Sequence, residues 1–65
     1  MNIQVNGKEL EVSAATLAAL LTELGYRDAV VATALNRAFV RAADRQKTQL
    51  EAGDAVEILV PRQGG

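Results

Sequence analysis

The apolar residues of this chain change period at Ser13, and that change restricts the fold more than any other feature. Before it, Met1, Ile3 and Val5 alternate with Asn2 and Gln4, and Leu10 and Val12 alternate with Glu9, Glu11 and Ser13. This is the two-residue period of half-buried strands. Asn6-Gly7 lies between the two runs. Both residues tolerate positive φ, so the pair marks a tight hairpin. After Ser13, Leu17, Leu20, Leu21 and Leu24 recur at i, i+3, i+4 and i+7, the apolar stripe of a helix. Thr16 or Ser13 is expected to cap its start. Gly25 is expected to end it in a left-handed conformation. A helix of two to three turns is marginal alone and has to be held by packing.

Strand-like pattern returns downstream. Residues 29 to 35 place Val31, Thr33 and Leu35 on one face and Val30, Ala32 and Ala34 on the other, which leaves open which face turns inward. Asn36-Arg37 reads as a turn, and Phe39-Val40 as a short further strand. Residues 41 to 49 hold no large apolar side chain and read as a surface connection, with Leu50 as the lone apolar anchor. Gly53-Asp54 reads as a turn. In the last strand Val56, Ile58 and Val60 are expected to point inward, alternating with Ala55, Glu57 and Leu59. The predicted fold class is α+β, a mixed four- to five-stranded sheet with one main helix packed across one face. The first and last strands are expected to lie side by side and parallel. Residues 1–61 form the domain, and residues 62–65 are expected to form a flexible tail, able to reach roughly 13 to 14 Å from it.

Leu, Ile, Val and Phe make up more than a quarter of the 65 residues, above the roughly 20% below which disorder is the better expectation. Much of the remaining apolar content is alanine, so the core is real but thin. A domain of this size buries only about 60% of its unfolded surface and has little room for a deep polar-lined cavity.

The same residues narrow the chemistry. The chain has no Cys and no His. A disulfide, a thiol nucleophile, a zinc finger and a histidine base are therefore excluded, and no metal site is expected. A net charge of −1 lacks the footprint of a nucleic-acid partner. No run approaches the ~18 apolar residues of a membrane span, and no basic leader precedes an apolar stretch; a cytoplasmic protein, a monomer when free, is expected. Glu9, Glu11 and Glu57 alternate out of strands as a solvated face and do not make a catalytic pair. Arg37, Arg41 and Arg45 share an i+4 spacing, but Asn36-Arg37 reads as a turn and Asp44 dilutes the charge, which argues against a phosphate site. The glycines Gly7, Gly25 and Gly53 sit at separate turns and form no phosphate loop.

What remains is Gly64-Gly65, which follows the last strand through Pro61-Arg62-Gln63. Without side chains at the last two positions, this segment can thread a narrow channel in another protein. A carboxylate at Gly65 becomes reactive once joined to the α-phosphate of ATP as an acyl-adenylate, which a persulfide or thiol can attack. Gly65 is thus the expected reacting group and Gly64 the residue that allows threading.

Along its whole length the chain resembles the ThiS family, the sulfur carriers of thiamin biosynthesis, with a ubiquitin-like β-grasp fold. The resemblance rests on Met1-Asn2-Ile3-Gln4-Val5-Asn6-Gly7, on the Thr16-to-Gly25 helix with Leu20-Leu21, on Ala34-Leu35-Asn36, on Leu50 to Ile58, and on Gly64-Gly65. One departure is visible: the family usually has Val-Pro-Arg where this chain has Val40-Arg41-Ala42. The resemblance implies a carrier and not an enzyme, with no cofactor of its own. A ubiquitin-activating-like enzyme would adenylate Gly65 with ATP and magnesium. A cysteine desulfurase or other sulfur donor would convert it to a thiocarboxylate, and thiazole synthase would take the sulfur. By analogy with ubiquitin, partners would dock on the sheet face away from the helix, at Leu59, Phe39 and Ala34, with Arg62 in the tail. Three other readings remain open: a carrier like the molybdopterin-synthase small subunit, a ubiquitin-like modifier joined to lysines, and a plain binding module.

Overall fold

The computed structural model describes residues 1–26 and 30–61. Strands β1 (Asn2–Val5), β2 (Lys8–Glu11), β3 (Ala32–Leu35), β4 (Ala38–Val40) and β5 (Ala55–Leu59) form one five-stranded sheet in the order β2-β1-β5-β3-β4. All neighbours are antiparallel except β1 and β5, which run parallel through Gln4↔Ala55 and Val5↔Val56. The helix α1 (Leu17–Glu23) packs its buried Leu17, Leu20 and Leu21 into the core. This is the mixed sheet with a single main helix of a β-grasp fold.

The local devices are those the residue types require. Asn6 and Gly7 have φ of 53° and 83°, left-handed at both central positions of the turn, as a two-residue hairpin needs. Asn36 and Arg37 repeat that geometry between β3 and β4. Thr16 Oγ1 accepts from the Ala19 amide at 3.1 Å and caps α1. At the other end Gly25 is left-handed, its amide donates to Thr22 O, and the Tyr26 amide donates to Leu21 O at 2.7 Å. These two bonds form a Schellman motif. Glu23 adds a contact that the hydrophobic pattern does not reveal. Its carboxylate reaches back to accept from the amides of Ser13 and Ala14, which fixes the path from β2 into the helix.

Ile3, Leu17, Leu20 and Val56 are fully buried. Around them lie Val5, Val12, Ala14, Leu21, Val31, Leu50 and Ile58. Leu50 is therefore the anchor expected of it, and Val31 and Thr33 settle which face of β3 turns inward. Two expectations need correction. Val60 does not point inward: it is 54% exposed, because pairing with β3 stops at Ala32↔Leu59 and no strand among the described residues supports the chain beyond it. For the same reason β3 starts at Ala32 and not at residue 29, which itself lies outside the described residues.

The segment 41–49 also differs from a plain surface connection. Ala42–Lys47 is a 3-10 helix tied down by polar contacts. The Arg45 guanidinium donates to Val31 O at 2.7 Å and to Thr33 Oγ1 at 3.0 Å, and Thr33 Oγ1 donates to Val40 O at 2.7 Å. Main-chain bonds from Leu17 to Thr48 and from Leu50 to Ala15 join the segment to the start of α1. Arg45 is thus structural, and Arg41 pairs with Asp44 at 3.2 Å.

Arg41 explains why the missing proline does not distort the loop. Its φ of −74° and ψ of 161° are values that proline itself adopts. Val40 before it is in a strand, as a pre-proline residue prefers. The Thr33↔Val40 register points the Val40 amide at β3, so the Arg41 amide faces the open edge. Arg41→Pro is therefore expected to fold normally. Reduced unfolded-state entropy stabilises it by about 0.4–1 kcal/mol, offset by loss of an exposed ion pair contributing roughly 0–1 kcal/mol. Urea denaturation should show a midpoint close to that of the parent; a loss of several kcal/mol would contradict this reading of the loop.

Candidate functional site

The sheet face opposite α1 is where the resemblance placed the partner contacts, and the register brings three of them together. Ala34 sits between Phe39 on β4 and Glu57 on β5 in one cross-strand row, and Ala32 sits beside Leu59 in the next. Phe39 and Leu59 are 73% and 67% exposed. Ala32 and Ala34 are too small to fill the space between them. The result is a shallow cleft of about 140 Å³, lined by Ala32, Thr33, Ala34, Phe39, Glu57 and Leu59. Of these, Ala32, Thr33 and Glu57 are not among the residues singled out as contacts. The signal for Ala32 was its place with Ala34 on one face of the strand pattern. It became a neighbour of Leu59 only through the long-range pairing of β3 with β5.

Covering Phe39 and Leu59 on docking would remove two large apolar side chains from water, each worth about 1.5–3 kcal/mol if fully buried. Glu57 supplies one carboxylate beside this apolar surface. The cleft can therefore bind a complementary surface. It holds no nucleophile, no base poised against a second group and no set of metal ligands. Among the described residues no group of three or more acidic side chains is placed to hold a metal ion. No described helix is long and apolar enough to cross a membrane.

Leu59 ends β5, and Val60 and Pro61 follow it, both exposed. Arg62, Gly64 and Gly65, the remaining expected site residues, lie outside the described residues. The cleft thus stands next to the point from which the last residues continue.

The comparisons agree with this architecture. The family model described as "ThiS family" matches residues 3–65. A crystal structure of the thiamine biosynthesis protein ThiS from Geobacter metallireducens is 35% identical, with a TM-score of 0.84, and the match covers 100% of both chains. A solution structure of a thiamine biosynthesis protein from the same organism is 33% identical, with a TM-score of 0.81, and the match covers 100% of this chain and 88% of that one. Among curated proteins nothing matches the chain.

Proposed function

The chain belongs to the ThiS family, the sulfur carriers of thiamin biosynthesis, and from that premise we propose that Gly65 is the group that carries the sulfur. The observation that supports this most is the extent of the family match, which runs from residue 3 through Gly64-Gly65.

A ubiquitin-activating-like enzyme, using ATP and magnesium, joins the Gly65 carboxylate to AMP and releases pyrophosphate. The terminal sulfur of a persulfide, supplied by a cysteine desulfurase or another donor, displaces AMP from the acyl carbon. A thiol then cleaves the resulting acyl disulfide, leaving a thiocarboxylate on Gly65 and a disulfide on the donor. Thiazole synthase consumes the thiocarboxylate sulfur and returns a carboxylate. Gly64 adds no side chain to obstruct entry of the chain end into these enzymes. The cleft of Leu59, Phe39 and Ala34, with Arg62 beyond it, is the docking surface that holds the carrier while Gly65 reacts. The protein is a co-substrate of these enzymes and acts with them in the cytoplasm.

The test is the intact mass after incubation with the activating enzyme, ATP and a sulfur donor. The expected result is a gain equal to replacement of one oxygen by sulfur, located in the C-terminal peptide. An unchanged mass with an enzyme that loads another carrier would overturn the proposal. A ladder of lysine-linked conjugates would point instead to a protein modifier.

A further inference from the structure

The two asparagines at the hairpin turns do more than permit left-handed φ. Both reach across to the main chain of β5, and they hold opposite ends of it.

β1 ends at Val5, where the Asn6 turn takes the chain away from β5. The Asn6 amide still donates to Val56 O at 2.9 Å. Ile58 is the next β5 residue whose amide and carbonyl face β1, and no strand residue is left there to meet them. The Asn6 carboxamide meets both: its Oδ1 accepts from the Ile58 amide at 2.8 Å and its Nδ2 donates to Ile58 O at 3.2 Å. One side chain replaces the missing peptide unit and extends the parallel pairing to the penultimate residue of the strand. On the other side β3 holds β5 as far as Leu59. Buried main-chain groups left unpaired are costly, so without Asn6 the end of β5 is held from one side only.

Asn36 performs the matching task at the start of β5. Its amide donates to Ala55 O at 2.7 Å, its Oδ1 accepts from the Ala55 amide at 2.9 Å, and its Nδ2 donates to Asp54 Oδ1 at 3.1 Å. The residue type, the turn and the bonds are alike. What differs is distance along the chain from the docking cleft's Leu59 and from Gly65.

We propose that Asn6 is a positioning residue for sulfur loading: by clamping Ile58 it fixes Leu59 and the base of the C-terminal segment in the arrangement the activating enzyme binds. This rests on the carrier reading above. Loss of the clamp leaves that arrangement to be ordered on docking, a cost of the size that ordering one interface side chain carries. An ordering cost of binding raises KM and leaves kcat unchanged.

The experiment compares Asn6→Gly with Asn36→Gly, since glycine keeps each left-handed turn and removes only the clamp. Both are assayed for thiocarboxylate formation at a temperature where each is fully folded, and amide exchange is followed at Ile58, Val56 and Ala55. Asn6→Gly is expected to raise the KM for the carrier about 3- to 10-fold with kcat unchanged, and to speed exchange at Ile58 relative to Val56. Asn36→Gly is expected to speed exchange at Ala55 and leave KM unchanged. If Asn6→Gly does not fold, Asn6→Asp serves in its place, keeping an acceptor for the Ile58 amide but losing the donor to Ile58 O. Equal KM shifts in the Asn6 and Asn36 variants, or faster Ile58 exchange with no KM shift, would overturn the inference alone. Failure of the wild type to take up sulfur would overturn the carrier reading, and the inference with it.

Discussion

Deleting Gly65 is expected to abolish sulfur acceptance while leaving the fold intact. The variant ends on a Gly64 carboxylate, chemically the same group but displaced by one residue, about 3.3–3.6 Å. Reaction requires the attacking and receiving atoms to come within roughly 3–3.5 Å in the right orientation, and a 1 Å misplacement already costs on the order of 10²-fold. A whole residue should therefore lower the rate by at least ~10³-fold, below detection in most assays. Stability should hardly change, because among the described residues every buried core side chain lies between Ile3 and Ile58; changes away from the core are usually within about 0.5 kcal/mol. The docking cleft is also untouched, so the deleted protein should compete with the full-length carrier for the activating enzyme. Adding Leu59→Asp should remove that competition by placing a charge on the apolar wall of the cleft. Mass spectrometry, thermal melting and an inhibition assay check the three parts. Sulfur uptake by the deleted chain would refute the role given to Gly65.

The second large effect concerns the core. Leu20→Ala removes most of a side chain that has no exposure and lies with Ile3, Leu17 and Val56 at the centre of the molecule. Buried Leu→Ala changes cost about 2–5 kcal/mol. At roughly 0.05–0.15 kcal/mol per residue, a chain of 65 residues has only about 3–10 kcal/mol in all. The substitution is thus expected to remove about a fifth or more of the total. In a domain this small each kcal/mol moves Tm by about 4–8 °C, so a fall of at least roughly 8 °C should appear in a thermal melt. The partly buried Leu24, at the edge of the same helix, should cost distinctly less. Equal losses at Leu20 and Leu24 would show that the core is not centred where the structure places it.

The elements that were legible in the sequence are those whose cause is local. Asn6-Gly7 announces a hairpin because few residue pairs accept left-handed φ at both positions. The leucine stripe between Thr16 and Gly25 announces a helix together with both its caps. The parts that were not legible depend on partners far along the chain. The 3-10 helix at 42–47 has no apolar periodicity; it is held by Arg45 reaching Val31 and Thr33, and a sequence does not reveal where a guanidinium will end. Val60 fits the alternation of β5 perfectly well, yet the pattern cannot show that β3 stops one residue earlier. The candidate site divides in the same way. Leu59 was legible as outward from the alternation of the last strand, whereas Phe39 and Ala34 stood on the resemblance, because the pattern of residues 29 to 35 left its inward face open. Their meeting across a floor of small residues required the register of β3 on β5. Gly64 and Gly65 stand on the sequence and the family alone.

The central place of β5 has a consequence for how the molecule is made. The strand that joins the two hairpins is the last to be synthesised, and until it is present β1 and β3 have nothing between them. Its pairing with β1 spans nearly the whole chain, and such non-local contacts form late and slowly. A nascent chain therefore cannot complete its sheet piecemeal as it emerges. An interrupted product lacks the central strand and should be cleared by proteases as an unfolded polypeptide. Only molecules translated past β5 can present the cleft between Phe39 and Leu59 at all, so any partner that docks there would meet only chains that already contain the central strand.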